Sequence, residues 1–237
     1  MEVIISEDNK LYKRANKLKD KKYRDSYGEY LIEGLRGIAD TPNEQIKVVL
    51  AAEGTDISAF DREKTVFLSA KLMNKLCLTD SGCPVMAIAE KKQEEDFASD
   101  FVLYLDRIRD PGNMGTIIRT AVAAGYEIVC DDCVDVYNPK VVRSCVSALA
   151  KARLHDGNFI DILAEKGYNI VGAALGGKNV FECDKPAKLC LVIGNEANGI
   201  KEEILRKCDT ICTIPMDNME SLNAAVSSGI LMYYYKY

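Results

Sequence analysis

The chain has 237 residues, 48% apolar and 28% charged, which suits an ordinary globular protein of one large domain or two modest ones. No apolar run approaches the roughly 20 residues that a membrane span requires, and the N-terminus lacks the apolar stretch of a secretory signal, so a cytoplasmic protein is expected. A formal net charge of −5 argues against a protein that coats nucleic acid over its whole surface.

In chain order, the first feature is a local reversal of that charge. Lys10, Lys13, Arg14, Lys17, Lys19, Lys21, Lys22 and Arg24 face a single acid, Asp20, with Tyr12 and Tyr23 interleaved. This is an electrostatic footprint for phosphates, and equally the pattern of a solvated amphipathic helix. The spacing predicts a helix over 9–18 and another over 27–39, the latter from Tyr30, Leu31, Gly34, Leu35 and Ile38. Strands are expected at 46–51, 65–68 and 85–89, with a helix at 69–76 between the last two. A small α/β unit therefore ends near Glu90, and the charged, aperiodic run from Lys91 to Asp96 reads as a linker.

Beyond it, strands at 101–105, 127–130, 169–174, 189–193 and 210–214 alternate with helices at 114–124, 140–152, 159–166, 201–208 and from Ser221 onward. Such alternation implies a parallel sheet covered on both faces, with binding groups at the strand C-termini. The nine cysteines are an odd number scattered through these elements, as buried reduced thiols would be. Cys130 and Cys133 form the C-x-x-C, but no second such pair accompanies it and the sole histidine, His155, is distant in sequence, so no metal site is expected. Cys208 and Cys212 read as core residues.

Three loops after strands carry polar residues that a fold alone does not require. In the first, Asp106 to Thr120, Pro111 and Gly112 force a turn and Asn113 is placed to cap the helix. Met114, Ile117, Ile118, Ala121 and Val122 then form an apolar face from which Arg119 departs. As a functional group, Arg119 could fork onto a phosphate or ribose oxygen; otherwise it is a surface arginine. The second, Gly194-Asn195-Glu196-Ala197-Asn198-Gly199, follows a buried strand. Its glycine spacing invites comparison with a phosphate-binding P-loop, yet Ile200 stands at the lysine position and no Ser or Thr follows Lys201. In the third, Ile214 to Val226, Ser221 can cap a last helix whose Leu222, Val226, Gly229, Ile230 and Tyr233 form a packing face, with Asn223 directed elsewhere. Ser221 is not in a G-x-S-x-G elbow, which weakens any hydrolase reading.

Together and in this order, D-P-G-N-x-G-x-x-x-R-T, G-N-E-x-x-G and I-P-M…S-L-N resemble the three motifs of the SpoU (TrmH-like) RNA ribose 2′-O-methyltransferases of the SPOUT superfamily, over about residues 100–237. Tyr30-Leu31-Ile32-Glu33-Gly34 and the basic helix before it are similar to the family's substrate-binding domain. The resemblance implies an α/β protein with an RNA substrate-binding domain at 1–93, a linker at 94–99 and a knotted (trefoil) parallel-sheet methyltransferase domain at 100–237. It also implies a homodimer packed partly through the first-motif and last helices. S-adenosylmethionine is the implied cofactor, resting on the backbone of Gly194, Ile214 and Leu222 with Ala174 and Met216 lining its pocket. Asn113, Arg119, Glu196, Ser221 and Asn223 would surround the reacting ribose, and Lys10, Lys13, Arg14, Lys17, Lys21, Lys22, Arg24 and Arg143 would meet RNA phosphates. Ser147 departs from the pattern, since many relatives carry glycine there. The two-domain layout favours ribosomal RNA, in the large subunit, over transfer RNA, with no DNA or membrane partner expected. The competing readings are a transfer RNA ribose methyltransferase, a non-catalytic RNA-binding assembly factor of the same fold, and a base methylator, against which the S-L-N stretch argues.

Overall fold

A computed structural model describes residues 3–79, 82–92 and 94–237. The chain divides into two compact units, one of residues 1–91 with 135–151 and the other of 92–134 with 152–237.

The first unit is built on β1 (Val3–Ile4), β2 (Glu29–Glu33), β3 (Ile46–Ala52), β4 (Thr65–Leu68) and β5 (Val85–Glu90), in the sheet order β1-β4-β3-β5-β2. The sheet is mixed: β4 runs parallel to β1 and β3, while β5 runs antiparallel to β3 and β2. Helix α1 (Lys10–Lys17), capped by the Asn9 side chain, and α4 (Ala70–Leu76), capped by Ser69, close one face. Tyr12, Ala15 and Leu18 meet Leu72, Met73 and Leu76 there over Leu31, Leu50, Leu68, Met86 and Ile88. The helix expected over 27–39 is instead the end of α2 (Lys21–Tyr27), then β2, then a short α3 (Leu35–Ala39). Gly28 ends α2 in the left-handed conformation, and Tyr30, Leu31 and Ile32 are all buried, as a strand covered on both faces requires. One cover is α6 (Pro139–Ser144) with its flanks, where Tyr137 packs on Tyr30 at a ring distance of 4.8 Å. The helix expected at 140–152 accordingly stops early, and a short 3₁₀ turn at Ala148–Lys151 follows. Between them Val146 takes a φ of 59°, so the strain falls beside Ser147 rather than on it.

The second unit is a six-stranded parallel sheet of β6 (Phe101–Asp106), β7 (Glu127–Asp131), β8 (Leu154–Asp156), β9 (Asn169–Asn179), β10 (Leu189–Ile193) and β11 (Thr210–Thr213), in the order β11-β9-β10-β6-β7-β8. Every residue of β10 is buried, as expected of a central strand covered on both faces. The covering helices are α5 (Pro111–Ala124), α7 (Ile160–Glu165), α8 (Glu202–Leu205) and α9 (Ala224–Lys236). Part of the expected linker is tied down. Phe97 stacks on His155 at 4.0 Å, and the Ala98 and Ser99 N–H groups donate to the buried Glu127 carboxylate. The same carboxylate accepts from His155 at 2.8 Å, giving that histidine a core role. Of the C-x-x-C pair, Cys130 is buried within β7, and the Cys133 thiol donates to the Leu105 carbonyl at 3.2 Å.

Candidate active site

Beside the middle of β9 and the C-terminal ends of β10 and β11 lies a cavity of about 840 Å³. Its shape begins with a break in pairing: the β9–β11 register jumps from Gly172 opposite Ile211 to Lys178 opposite Cys212. Ala173, Ala174 and Leu175, which have no β11 partner, line the cavity. The opposite wall is the loop after β10, closed by reciprocal N–H···O bonds between Asn195 and Gly199 at 3.0 and 2.9 Å. Asn195 Oδ1 accepts from the Ala197 and Asn198 N–H groups, each at 3.0 Å. A β-carbon on Gly194 would fall inside the backbone of Gly199 and Ile200, so only glycine permits this closure.

The third wall is Ile214, Met216, Ser221 and Leu222 with the first turns of α9. Ser221 is not the cap of that helix. Asn223 is, its Oδ1 accepting from the Ala225 and Val226 N–H groups at 2.9 and 3.3 Å. The expected cap of α5 is likewise corrected: Pro111 occupies the first turn, and Asp110 Oδ1 accepts the Asn113 N–H at 2.7 Å. The Asn113 side chain is thereby free for the site. Asn223 Nδ2 donates to Asn113 Oδ1 at 2.9 Å, and Asn113 Nδ2 donates to Glu196 Oε1 at 3.0 Å. The α9 cap fixes the sense of this relay, because Asn223 Oδ1 is already spent on backbone donors.

Of the residues expected at the site, Ala174, Gly194, Ile214, Met216 and Leu222 all line the cavity, as do Asn113, Glu196, Ser221 and Asn223. Arg119 does not: it is exposed on α5, outside the cavity lining of its own chain. Ser227 and Leu231 also line it and went unread; they follow Asn223 at four-residue steps, so helical periodicity carried their signal. The expected packing face of α9 is corrected too. Leu222, Val226, Ile230 and Tyr233 are 37–52% exposed, while Ala225, Ser228, Met232 and Tyr235 are buried.

In the first unit, Lys10, Lys13, Lys17, Lys21 and Lys22 are exposed, with Lys13 paired to Asp8 at 2.6 Å and Lys21 to Asp25 at 2.7 Å. The Lys17 and Lys22 ammonium groups lie 5.1 and 5.9 Å from the Tyr23 ring. Arg14 is half exposed and grips the buried Glu29. Arg143 is exposed on α6. Arg24, expected to meet phosphate, is 2% exposed; its guanidinium donates to Asp135 and to the Leu18 and Lys19 carbonyls, which leaves nothing for RNA.

The lining suits a nucleoside cofactor: the close-packed backbone that Gly194 permits stands beside apolar Ala174, Leu175, Ile214 and Leu231, in a volume typical of cofactor sites. Residues 100–233 match the model of the SpoU rRNA methylase family, and residues 9–87 match that of the MRM3-like substrate binding domain. Among curated proteins, the chain is 30% identical to the 23S rRNA (guanosine(2553)-2′-O)-methyltransferase RlmP of Bacillus subtilis, over 99% of both chains. Among solved structures, it is similar to the AdoMet-bound rRNA methyltransferase from Sinorhizobium meliloti, with a TM-score of 0.85 and 26% identity over 99% of this chain and 97% of that one. AviRb from Streptomyces viridochromogenes, in complex with AdoMet, gives a TM-score of 0.80 and 26% identity over 96% and 97%. A family match over more than half of the chain, and alignments that run through all three cavity-lining loops, agree with the geometry: the chain belongs to the SpoU rRNA methylase family.

Proposed function

We propose that this protein transfers a methyl group from S-adenosylmethionine to a ribose 2′-hydroxyl of ribosomal RNA, in the large subunit. The observation that carries this reading is the meeting of Asn223, Asn113 and Glu196 in one hydrogen-bonded relay on a cavity lined by Gly194, Ile214, Met216 and Leu222. RlmP bears a 23S rRNA ribose-methylating name, which supports the choice of RNA.

When bound, S-adenosylmethionine supplies a methyl carbon activated by its sulfonium. The protein's own task is to seat the ribose in line with that carbon and to stabilise the charge that develops on the hydroxyl oxygen. Asn113 and Asn223 hold the polar edge of the cavity in one orientation, and Glu196 is kept there by the Asn113 amide. Arg119 is assigned the orientation of the hydroxyl and its neighbouring phosphate. A guanidinium is too weak an acid to serve as a proton acceptor.

Because Arg119 lies outside its own cavity while α5 packs against α9, whose outer stripe is apolar and exposed, the working protein is a homodimer in which Arg119 reaches the partner's cavity. Residues 1–93 act as the RNA substrate-binding domain, 94–99 as a short connector, and 100–237, apart from 135–151 that pack with the first unit, as a catalytic domain with a trefoil knot. The knot reading is supported by the match of residues 100–233 to the SpoU family model. Among the described residues no helix is long and apolar enough to cross a membrane. A ribosomal RNA substrate supports a cytoplasmic location. The test is labelled methyl transfer to ribosomal and transfer RNA with nuclease mapping. A nuclease-resistant linkage in large-subunit RNA is expected; label on transfer RNA or on a base replaces the substrate, and cofactor binding without transfer to any RNA favours an assembly factor.

A further inference from the structure

The cavity loop is held from behind by a group of charged residues at the C-terminal ends of β6 and β7 that the transfer reaction does not use. Asp106 is fully buried and accepts two parallel bonds from Arg107, Nε to Oδ1 at 2.9 Å and a terminal nitrogen to Oδ2 at 3.0 Å. Its Oδ2 also takes the backbone N–H of Lys201 at 2.7 Å, which pins the far end of the loop. The Lys201 ammonium lies 3.5 Å from Asp106 and 3.4 Å from Asp131, whose carboxylate accepts the Tyr104 hydroxyl at 2.8 Å. Two buried acids are thus balanced by two bases that reach in from the loop side. Burial pulls the Lys201 ammonium toward its neutral form, but the Asp131 and Asp106 carboxylates prevail and hold it above its ordinary value.

Arg107 adopts a φ of 58°, a left-handed backbone that costs a non-glycine residue energy and persists only where the surroundings impose it. Its N–H donates to the Asp131 carbonyl at 2.9 Å, and its carbonyl accepts from Asn195 Nδ2 at 2.8 Å. Its guanidinium also donates to the Gly199 carbonyl at 3.2 Å. One residue therefore grips the loop at both hinge points, Asn195 and Gly199, while its neighbour Asp106 grips Lys201.

We propose that Arg107 is a positioning residue for the methyl-transfer reaction, clamping the 195–200 loop from behind so that Gly194 and Glu196 present a preformed wall to the cofactor. This rests on the reading of the cavity as the S-adenosylmethionine site. The clamp makes no contact with the reacting atoms, so its loss should cost cofactor affinity and loop order more than turnover at saturating cofactor.

The test uses the full chain with Arg107→Met, which keeps the stem and removes the fork, Arg107→Lys, which restores only the charge, and Asn195→Ala. For each, S-adenosylmethionine affinity is measured by calorimetry, kcat and KM by methyl transfer, and backbone order by hydrogen exchange of the peptide spanning 194–201, without cofactor. Arg107→Met and Asn195→Ala are expected to weaken cofactor binding about tenfold and to speed exchange in that peptide, with exchange in β6 unchanged and kcat altered less than threefold. Arg107→Lys should recover part of the affinity. A folded Arg107→Met protein with wild-type affinity and wild-type loop exchange overturns the clamp. Faster exchange in β6 as well overturns it in favour of a general stability role. If the wild-type protein itself fails to bind S-adenosylmethionine, the cofactor reading falls, and the exchange measurement still decides whether Arg107 orders the loop.

Discussion

Asn113 shows how one residue acquires its role from its neighbours. Asp110 takes over the capping of α5, and the freed amide becomes the middle of the Asn223–Asn113–Glu196 relay. Replacing it by aspartate keeps the shape but turns a donor toward Glu196 into a second carboxylate. Asn113→Asp is expected to lower kcat about a hundredfold while leaving S-adenosylmethionine affinity nearly unchanged, as calorimetry alongside single-turnover transfer would reveal. Gly194 tests sterics instead of charge. With its β-carbon driven into the Gly199 and Ile200 backbone, Gly194→Ala should cost about 3 kcal/mol in thermal unfolding and abolish cofactor binding. Gly199→Ala meets no neighbouring atom and carries only the penalty of its φ of 65°, about 1 kcal/mol. Equal losses for the two would mean that backbone strain, rather than close approach, governs the loop.

At the scale of elements, the parallel sheet was readable because its strands are unbroken apolar runs between turn signals, and β10 matches its expected bounds. Helix periodicity failed where an apolar run was short and two-sided. Tyr30, Leu31 and Ile32 fit a helix face as well as a strand, and tertiary partners distant in sequence, β5 paired along the whole of β2 and α6 covering it, decide the matter. The caps of α5 and α9 were misplaced by a few residues because several capping side chains compete in each loop. The cavity residues were nonetheless legible, since motif spacing survives an error in the boundary. The same distinction between pattern and tertiary context divides the basic segment. Lys10, Lys17 and Lys22 stand exposed, whereas Arg24 is consumed by Asp135 and two carbonyls. Exchanging Lys10, Lys17 and Lys22 together for glutamine should weaken RNA binding and reduce the slope of log affinity against log salt by about 2. Arg24→Ala should leave that slope alone and cost about 3 kcal/mol of stability by stranding Asp135. An unchanged slope in the triple variant would make this face a solvated surface.

On the scale of the whole molecule, the question is where Arg119 works. It is exposed on α5 and absent from the cavity that holds Asn113, Glu196 and Asn223. On α9, Val226, Ile230 and Tyr233 continue from Leu222 just before it as an exposed apolar stripe, while the other faces of the helix are engaged with the cavity and the core. A two-fold contact through that stripe would bury it and bring the α5 of one copy toward the cavity of the other. Ile230→Asp should then shift the protein to a monomer in sedimentation and remove transfer together with dimerisation. A sharper test is complementation. Arg119→Ala and Asn223→Ala proteins, each inactive alone, are mixed under conditions that exchange subunits. If Arg119 acts on its partner's cavity, half of the dimers at equilibrium are mixed, and each mixed dimer contains one site with both groups intact and one with neither. Roughly a quarter of wild-type transfer should return. If Arg119 serves its own chain, every site in the mixture lacks one group or the other and no activity returns. The recovered fraction thus separates a site completed across the dimer from one completed within a single chain.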